Sequence, residues 1–211
     1  MEPSMPDFTF ESQFDGLVCG VDEAGRGPCA GPLCVAAVIL DPARIPPGIA
    51  DSKKLSEKQR FALEPDIKAA ALAWSVIEIS AADIDCHNIL QATMMGMTQA
   101  VEALRPQPIH ALIDGNRCPP LAISSTAVVK GDDKSLSIAA ASILAKTARD
   151  RIMIEMDALY PAYGFKSHKG YQAEAHIAAI RLHGPSPIHR LSWATVRSVL
   201  SAASETAVVD A

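Results

Sequence analysis

Acidic residues with glycines nearby follow three short apolar stretches of the sequence. They are Asp22 and Glu23 in VDEAGRG, Asp114 in LIDGN, and Asp132 in VVKGDD. Loops at strand ends are where α/β proteins place reactive groups, and carboxylates that converge there repel one another unless a cation neutralises them. Because neither His nor Cys accompanies these oxygen ligands, the pattern indicates Mg²⁺ or Mn²⁺ rather than zinc.

These acids also have a simpler explanation. A lone Asp-Gly at the end of a strand is more often a turn than a metal ligand, and Asp22-Glu23 alone could be a solvated strand end. In a continuing strand Asp22 and Glu23 would face opposite sides, so a shared site requires the strand to stop there. Gly25 and Gly27 permit a sharp turn that would bring Glu23 to the same ions. Three such positions in one chain favour the metal cluster.

Strands and helices alternate in the sequence that would position these acids. Apolar runs predict strands at 17–21, 33–40, 74–79, 110–113 and 122–129. Helical patterns begin at Ser56, which would serve as N-cap, and cover 88–104 and 135–160, with further helices after Tyr171 and Ser192. This alternation predicts an α/β fold with a helical C-terminal part.

The domain organisation follows from the same pattern. We expect residues 1–14 to form a mobile N-terminal tail and residues 201–211 to form a C-terminal tail. Between them, residues 15–200 would form one catalytic domain, whose helical extension begins at about residue 160.

The composition limits the classes of function. A hydrophobic content of 49% with 20% charged residues is typical of a globular protein. The net charge of -5 argues against nucleic-acid binding over the whole surface, so such binding requires local basic clusters. Five cysteines without C-x-x-C spacing and an acidic N-terminus predict a cytosolic protein with no membrane span. The Gly25-Arg26-Gly27 motif does not fit a dinucleotide loop, because the adjacent acids would repel a pyrophosphate.

Five segments together resemble a known family. VDEAGRGPCAGP, DSKKLS, IDGNRCP, VVKGDDKSLSIAAASILAKTARD and YGFKSHKGY follow the order and approximate spacing of bacterial ribonuclease HII, a type 2 ribonuclease H. The resemblance runs from about Val18 to about Trp193, nearly the whole chain. It implies a ribonuclease H-like mixed sheet flanked by helices, with a helical C-terminal extension.

The resemblance also implies an activity and its metal ligands. The family cleaves the RNA strand of RNA–DNA hybrids and cuts 5′ of ribonucleotides embedded in duplex DNA, leaving a 5′-phosphate and a 3′-hydroxyl. Four carboxylates would hold two Mn²⁺ or Mg²⁺ ions: Asp22, Glu23, Asp114 and Asp132. Asp133 competes with Asp132 for the fourth position. We favour Asp132, because it directly follows Lys130-Gly131 as the family motif requires.

Substrate contacts are the last implication of the resemblance. Gly25, Arg26, Gly27 and Tyr171 would read the junction between ribose and deoxyribose. Four lysines near the motifs would grip phosphates: Lys53, Lys54, Lys146 and Lys169. Two alternatives stay open, since Lys146 could instead pair with Asp150 on its helix and Tyr171 could simply be half-buried at a helix start.

Two other functions compete with this interpretation. One is a DNA-directed nuclease of the same fold, and the other is a protein that binds hybrids after losing catalysis; the four carboxylates argue against the second. The expected partners are RNA–DNA hybrids and ribonucleotide-containing DNA, and the expected state is a monomer. The C-terminal SETAVVDA has no aromatic pair of the sort that docks on a sliding clamp.

Overall fold

The chain forms two compact units in a computed structural model, which describes the backbone of residues 5–209 and the side chains of residues 5–201. We call them the sheet unit and the helical unit. The sheet unit comprises 5–24, Cys34–Glu78 and Thr93–Ala148. The helical unit comprises Gly25–Leu33, Ile79–Ala92 and 149–209. The helical unit is thus assembled from three separate stretches of the chain.

The sheet has five strands, and all five were expected from the apolar runs. They are β1 (Val18–Ala24), β2 (Leu33–Ile39), β3 (Ala73–Ile79), β4 (His110–Asp114) and β5 (Ser124–Val128). Their order across the sheet is β3-β2-β1-β4-β5. Strand β1 is antiparallel to β2 and parallel to β4, and β4 is parallel to β5. The predicted mixed sheet is therefore confirmed.

Six helices complete the secondary structure of residues 5–209, together with short 3₁₀ turns. They are α1 (Glu57–Ala70), α2 (Ala81–Glu102), α3 (Leu136–Leu159), α4 (Phe165–His168), α5 (Glu174–His183) and α6 (Ala194–Val209). Ser56 caps α1 as predicted, accepting a hydrogen bond from the Gln59 N–H. Asn88 interrupts α2 with a φ of 64° and caps the stretch after it, because its Oδ1 accepts from the N–H groups of Leu90 and Gln91.

The alanine-rich start of α3 packs closely in the core of the sheet unit. Ala139, Ala140 and Ala141 are buried in one cluster with Ala36 and Val38 of β2. Glycine in β1 permits this approach, since a Cβ built at Gly20 would lie 2.1 Å from the carbonyl carbon of Ser137. The small side chains let α3 and the central strand β1 come into backbone contact.

Two residues of the predicted N-terminal tail, Asp7 and Glu11, contact the sheet unit at the start of α3. Asp7 forms an isolated bridge with Ser135. The buried carboxylate of Glu11 accepts hydrogen bonds from the Ser135 hydroxyl at 2.6 Å and from the Ser137 N–H at 2.8 Å. These donors stand at the start of α3, where a negative charge is favoured by the helix dipole. The sequence expectation missed this contact because Glu11 and Ser135 are 124 residues apart.

The helical unit has its own core and contains the C-terminal helices that the sequence predicts. Phe165, Ile180, Val196 and Met153 are fully buried in this cluster. Helix α6 continues to Val209, so the backbone is helical where the sequence suggests a tail from residue 201. Among the described residues, none of the helices combines the length and the apolar character needed to cross a bilayer.

Candidate active site

Three aspartates of the sheet unit converge at the ends of neighbouring strands. Asp22 lies one residue beyond Val21 in β1 and Asp114 one residue beyond Ile113 in β4, and Val21 pairs with Ile113 in parallel register. Residues at the same register of parallel strands face the same side of the sheet. Asp132 follows β5 in a 3₁₀ turn. One carboxylate oxygen from each of the three lies within 4.8 Å of the others.

The turn after β5 brings Asp132 to this group. Lys130 adopts a left-handed conformation, and the 3₁₀ turn Gly131–Asp133 follows. The Gly131 N–H donates to Asp114 Oδ1 at 2.7 Å. A Cβ at Gly131 would lie 2.6 Å from Ile138 Cδ1 and 3.2 Å from Asp114 Oδ1, so the turn needs glycine to pass between helix and carboxylate.

The electrostatics of the group favour a bound cation. Burial raises the pKa of Asp22 well above its usual value, and the charges of Glu23 and Asp114 raise it further, against a hydrogen bond from the Ser142 hydroxyl. Burial likewise raises the pKa of Asp114, as does the charge of Asp132, against the Gly131 N–H. Buried carboxylates that repel one another match the donor set of a hard divalent cation.

Glu23 stands differently from the sequence expectation. Strand β1 continues through Ala24, and Glu23 pairs with Val35 of β2. The strand therefore does not stop at Asp22, and the turn at Gly25 comes only after Ala24. Glu23 is not part of the group of three aspartates, although its charge acts on Asp22. Its role as a metal ligand stays a prediction.

The two adjacent acids after β5 have different surroundings. Asp132 is buried in the group with Asp22 and Asp114. Asp133 is half-buried, and its carboxylate pairs with the Lys54 ammonium. A second group of carboxylates joins both of them with buried Asp51, which sequence reasoning did not single out. The geometry favours Asp132 over Asp133 as the neighbour of Asp22, while its role as a ligand stays a prediction.

The four predicted phosphate-binding lysines fall into two groups. Lys53 Nζ lies 2.9 Å from Asp132 Oδ2 and 3.8 Å from Asp51 Oδ1, and Lys54 pairs with Asp133, so both reach the acids. Burial lowers the pKa of Lys53, but the hydrogen bond to Asp132 and the surrounding carboxylates outweigh it and raise that pKa. Lys146 lies half-buried on α3, and Lys169, in the helical unit, donates to the Lys166 carbonyl.

The predicted recognition residues meet in the helical unit. A Cβ at Gly27 would lie 3.5 Å from Tyr171 Cε1, so the tyrosine ring lies beside Gly27. The Tyr171 side chain remains 51% exposed, which leaves its ring available for stacking. Gly25 has a φ of 105°, and a Cβ there would lie 2.3 Å from Arg149 Nε. Only glycine fits this close approach in that conformation.

Two buried arginines beside these residues were not foreseen from the sequence. Arg149 donates to the carbonyls of Ala30 and Pro32, and Arg190 donates to carbonyls between Gly25 and Pro32. We call residues 25–32 the GRG loop. The sequence shows each arginine only as part of a charged, ordinary-looking stretch, and the partners are more than 100 residues away in the chain.

A mixed sheet with aspartates gathered beside its central strands is typical of nucleases that use divalent cations. Residues 19–196 match the family model described as Ribonuclease HII. A ribonuclease HII from Caulobacter vibrioides is 56% identical over 209 residues, covering 99% of this chain and 99% of the relative. The chain therefore belongs to the ribonuclease HII family and is a nuclease of the hydrolase class.

Solved structures agree with this fold. The ribonuclease H2 of Pyrococcus horikoshii has a TM-score of 0.77 at 28% identity, covering 88% of this chain and 98% of that protein. The RNase HII of Archaeoglobus fulgidus, solved in complex with PCNA, has a TM-score of 0.73 at 27% identity, covering 86% of this chain and 96% of that one. The ribonuclease H-like fold expected from the resemblance is confirmed.

Proposed function

We propose that this protein hydrolyses the RNA strand of RNA–DNA hybrids and cuts on the 5′ side of ribonucleotides embedded in duplex DNA. The single observation that carries the proposal is the convergence of Asp22, Asp114 and Asp132 within 4.8 Å, in a chain of the ribonuclease HII family. The products would be a 5′-phosphate and a 3′-hydroxyl.

The metal site proposed here uses Asp22, Glu23, Asp114 and Asp132 as carboxylate donors for two Mn²⁺ or Mg²⁺ ions. The chemistry that such a pair supplies when bound is activation of a water on one side of the phosphodiester and stabilisation of the leaving oxygen on the other. Burial and mutual repulsion of the aspartates support this assignment, because they raise the pKa values of Asp22 and Asp114 although the positive charge of Lys53 is close by.

The protein's own groups orient these donors. The Gly131 N–H fixes Oδ1 of Asp114, and the Glu23 N–H donates to Oδ1 of Asp22 at 2.7 Å. The Ser142 hydroxyl, which also bonds the Ser52 hydroxyl at 2.8 Å, lowers the pKa of Asp22 and so favours its charged form. Such fixed partners hold ligands in one orientation and support their affinity for a cation.

We propose that the GRG loop and Tyr171 recognise the substrate and that lysines bind its phosphates. The backbone of Gly25, Arg26 and Gly27 can approach a 2′-hydroxyl closely, which is the group that separates RNA from DNA. The Tyr171 ring can stack on the neighbouring deoxyribose. The proposed phosphate ligands are Lys53, Lys54, Lys146 and Lys169.

One experiment tests the proposal directly. Duplexes of one sequence, either all DNA or with a single ribonucleotide, are incubated with and without Mg²⁺ or Mn²⁺, and the cleavage site is mapped. We expect cutting 5′ of the ribonucleotide only, only with metal, and loss of cutting in Asp22→Asn. Asp66→Asn, an exposed acid on α1, is the matched control and should cut normally.

Two results would contradict the proposal. Equal cleavage of the all-DNA duplex would make the protein a DNA-directed nuclease of the same fold. Binding of the ribonucleotide duplex without cleavage in either metal would make it a hybrid-binding protein.

A further inference from the structure

Arg190 makes an extensive set of hydrogen bonds within the helical unit. Its guanidinium is fully buried. All of its nitrogens donate to backbone carbonyls of the GRG loop, belonging to Gly25, Arg26, Pro28, Gly31 and Pro32. The distances run from 2.6 Å to Gly25 to 3.3 Å to Arg26. An arginine has five N–H donors in a rigid plane, so this one group can fix a whole loop at once.

The segment before Arg190 is tied to the same loop through its backbone. Ala30 and His189 form an antiparallel bridge, the Gly31 N–H donates to the Ile188 carbonyl, and the Arg190 N–H donates to the Cys29 carbonyl. The Cys29 N–H in turn donates to the carbonyl of Gly170, next to Tyr171. Both parts of the proposed recognition surface are therefore held by one hydrogen-bonded framework.

The direction of the loop peptides follows from these bonds. In a trans peptide the carbonyl and the following N–H point in opposite directions. The Arg26 carbonyl points at Arg190, so the Gly27 N–H is directed away from the buried guanidinium. The same holds for the Arg26 N–H, because the Gly25 carbonyl also points at Arg190. Fixing the carbonyls thus fixes the direction of the N–H groups at the Gly-Arg-Gly motif.

We propose that Arg190 is a positioning residue for sugar discrimination: it sets the orientation of the Gly25–Gly27 peptide groups that would contact the ribonucleotide. This inference rests on the proposed function. Arg190 is buried and touches no substrate itself, so it acts through the loop. Recognition of a single hydroxyl group needs donors and acceptors held within a few tenths of an ångström, and a loop fixed in advance meets that need.

Arg190→Lys would test the positioning role of Arg190 while keeping the positive charge. One ammonium has three donors and no planar fork, so it cannot reach carbonyls spread from Gly25 to Pro32. The loop would then sample other orientations. Discrimination between ribose and deoxyribose should fall, whereas a residue that merely stabilises the fold would affect both substrates alike.

The experiment measures equilibrium binding by the full-length protein in an Asp22→Asn background, which prevents cleavage. The probes are two duplexes of one sequence, one all DNA and one with a single ribonucleotide. The readout is the dissociation constant of the all-DNA duplex divided by that of the duplex with the ribonucleotide. We expect Arg190→Lys to lower this ratio by about tenfold, the effect of losing one well-placed hydrogen bond.

Two variants serve as controls. Ile180→Ala removes a buried side chain of the same unit and should lower the melting temperature while leaving the ratio unchanged. Arg197→Lys changes an exposed arginine of α6 and should alter neither quantity. A lower ratio in Ile180→Ala would mean that any loosening of the helical unit suffices, which would overturn a specific role for Arg190.

A gentler variant covers the case in which Arg190→Lys does not fold. The Asp85 carboxylate accepts from the N–H groups of Leu191 and Ser192 and so anchors the chain directly after Arg190. Asp85→Ala should loosen that anchor and lower the ratio by about threefold. An unchanged ratio in whichever variant folds overturns the inference. If the Asp22→Asn background itself fails to prefer the ribonucleotide duplex, the proposed function fails instead.

Discussion

The aspartate group of the sheet unit and the GRG loop of the helical unit solve opposite electrostatic problems. Asp22 and Asp132, which are buried, and Asp114, which is half-buried, place like charges together, and burial and repulsion raise the pKa values of Asp22 and Asp114. In the GRG loop, buried carbonyls face Arg149 and Arg190 and are satisfied by them. In the aspartate group Lys53 offsets only part of the negative charge, so a divalent cation from outside is still favoured, whereas the GRG loop is held by cations of the chain itself.

This difference suits the two tasks proposed for the regions. A carboxylate cluster whose charge the protein offsets only in part binds a divalent ion strongly, because the ion relieves repulsion that folding has already imposed. A loop whose carbonyls are held by two buried arginines is fixed before the substrate arrives, and such rigidity favours discrimination. We therefore predict that substitutions that change charge have their largest effect in the aspartate group. Substitutions that change the size of a side chain should have their largest effect in the GRG loop.

The largest expected effect is the loss of cleavage in Asp22→Asn or Asp114→Asn. Each removes one charge of the proposed metal site while keeping the size of the side chain. Since metal ions contribute several kcal/mol to stabilising the transition state, cleavage should fall on the order of 10³-fold or more. The measurement is single-turnover cleavage of a duplex with one ribonucleotide.

The melting temperature shows whether that loss of cleavage comes from the removed charge or from misfolding. In the absence of metal, Asp22→Asn should melt at the same or a higher temperature than the wild type, because it removes a buried charge repelled by Glu23 and Asp114. A strong drop in melting temperature would mean that the variant fails through misfolding, and the activity loss would then say nothing about metal binding.

The second prediction compares two glycines of the GRG loop. Gly25→Ala forces a side chain into a positive φ and against Arg149 Nε, so it should cost about 1–3 kcal/mol from backbone strain and a similar amount from overpacking. Gly27→Ala meets only the Tyr171 ring at 3.5 Å and should leave the stability nearly unchanged. Thermal unfolding of both variants measures the difference.

Binding of the ribonucleotide duplex tests Gly27 separately from stability. Gly27→Ala folds normally yet adds a methyl group beside Tyr171, so its preference for the ribonucleotide duplex should fall. If Gly27→Ala binds and cleaves as the wild type does, the surface between Gly27 and Tyr171 does not contact the sugar.

The third prediction concerns pH and metal. The pKa values of Asp22 and Asp114 are raised in the folded protein, so between the unfolded and folded values the folded state holds more protons than the unfolded one. Their contribution to stability is complete below the unfolded pKa, near 4, and is lost as pH rises through the folded pKa. The metal-free protein should therefore lose part of its stability as pH increases over this window.

Divalent cations should reverse that loss. At a concentration about 100 times the dissociation constant, Mg²⁺ or Mn²⁺ should stabilise the folded state by about 2.7 kcal/mol. The measurement is thermal unfolding as a function of pH, with and without metal, for the wild type and Asp22→Asn. An equal metal-induced shift in both proteins would place the bound ion elsewhere.

The sequence predicts the aspartate group well because each aspartate follows an apolar run that forms a strand. Asp22 and Asp114 each end an apolar run, and parallel strands in register bring such ends together. What the sequence could not reveal is where β1 stops. Strand β1 continues to pair with β2 at Glu23 and Ala24, and nothing in VDEAGRG distinguishes a strand that ends at Val21 from one that ends at Ala24.

The arginines of the helical unit show the other limit. Arg149 sits in an amphipathic stretch and Arg190 beside a histidine, and both patterns fit a solvated charge as well as a buried one. Their roles depend on carbonyls 117 to 165 residues away in the chain. Burial of a charge is a tertiary property, and no periodicity in the sequence encodes it.

The smallest expected effect is a change in stability on replacing Lys53, one of the two lysines that pair with the acids. Lys53 pairs with buried Asp132, and its side chain is 75% exposed, so its contribution is screened by solvent and should stay below about 1 kcal/mol. Lys53→Met should slightly destabilise the metal-free protein, because Asp132 then faces Asp114 without a nearby cation. With metal bound the difference should shrink, since the ion supplies the missing positive charge.

Lys54→Met is the matched control, because Lys54 pairs with half-buried Asp133 outside the group of Asp22, Asp114 and Asp132. Its melting temperature should respond to metal as the wild type does. If Lys54→Met alters the metal response and Lys53→Met does not, then the ion is held by Asp133 with Asp51, and the competition between the two adjacent acids is decided against Asp132.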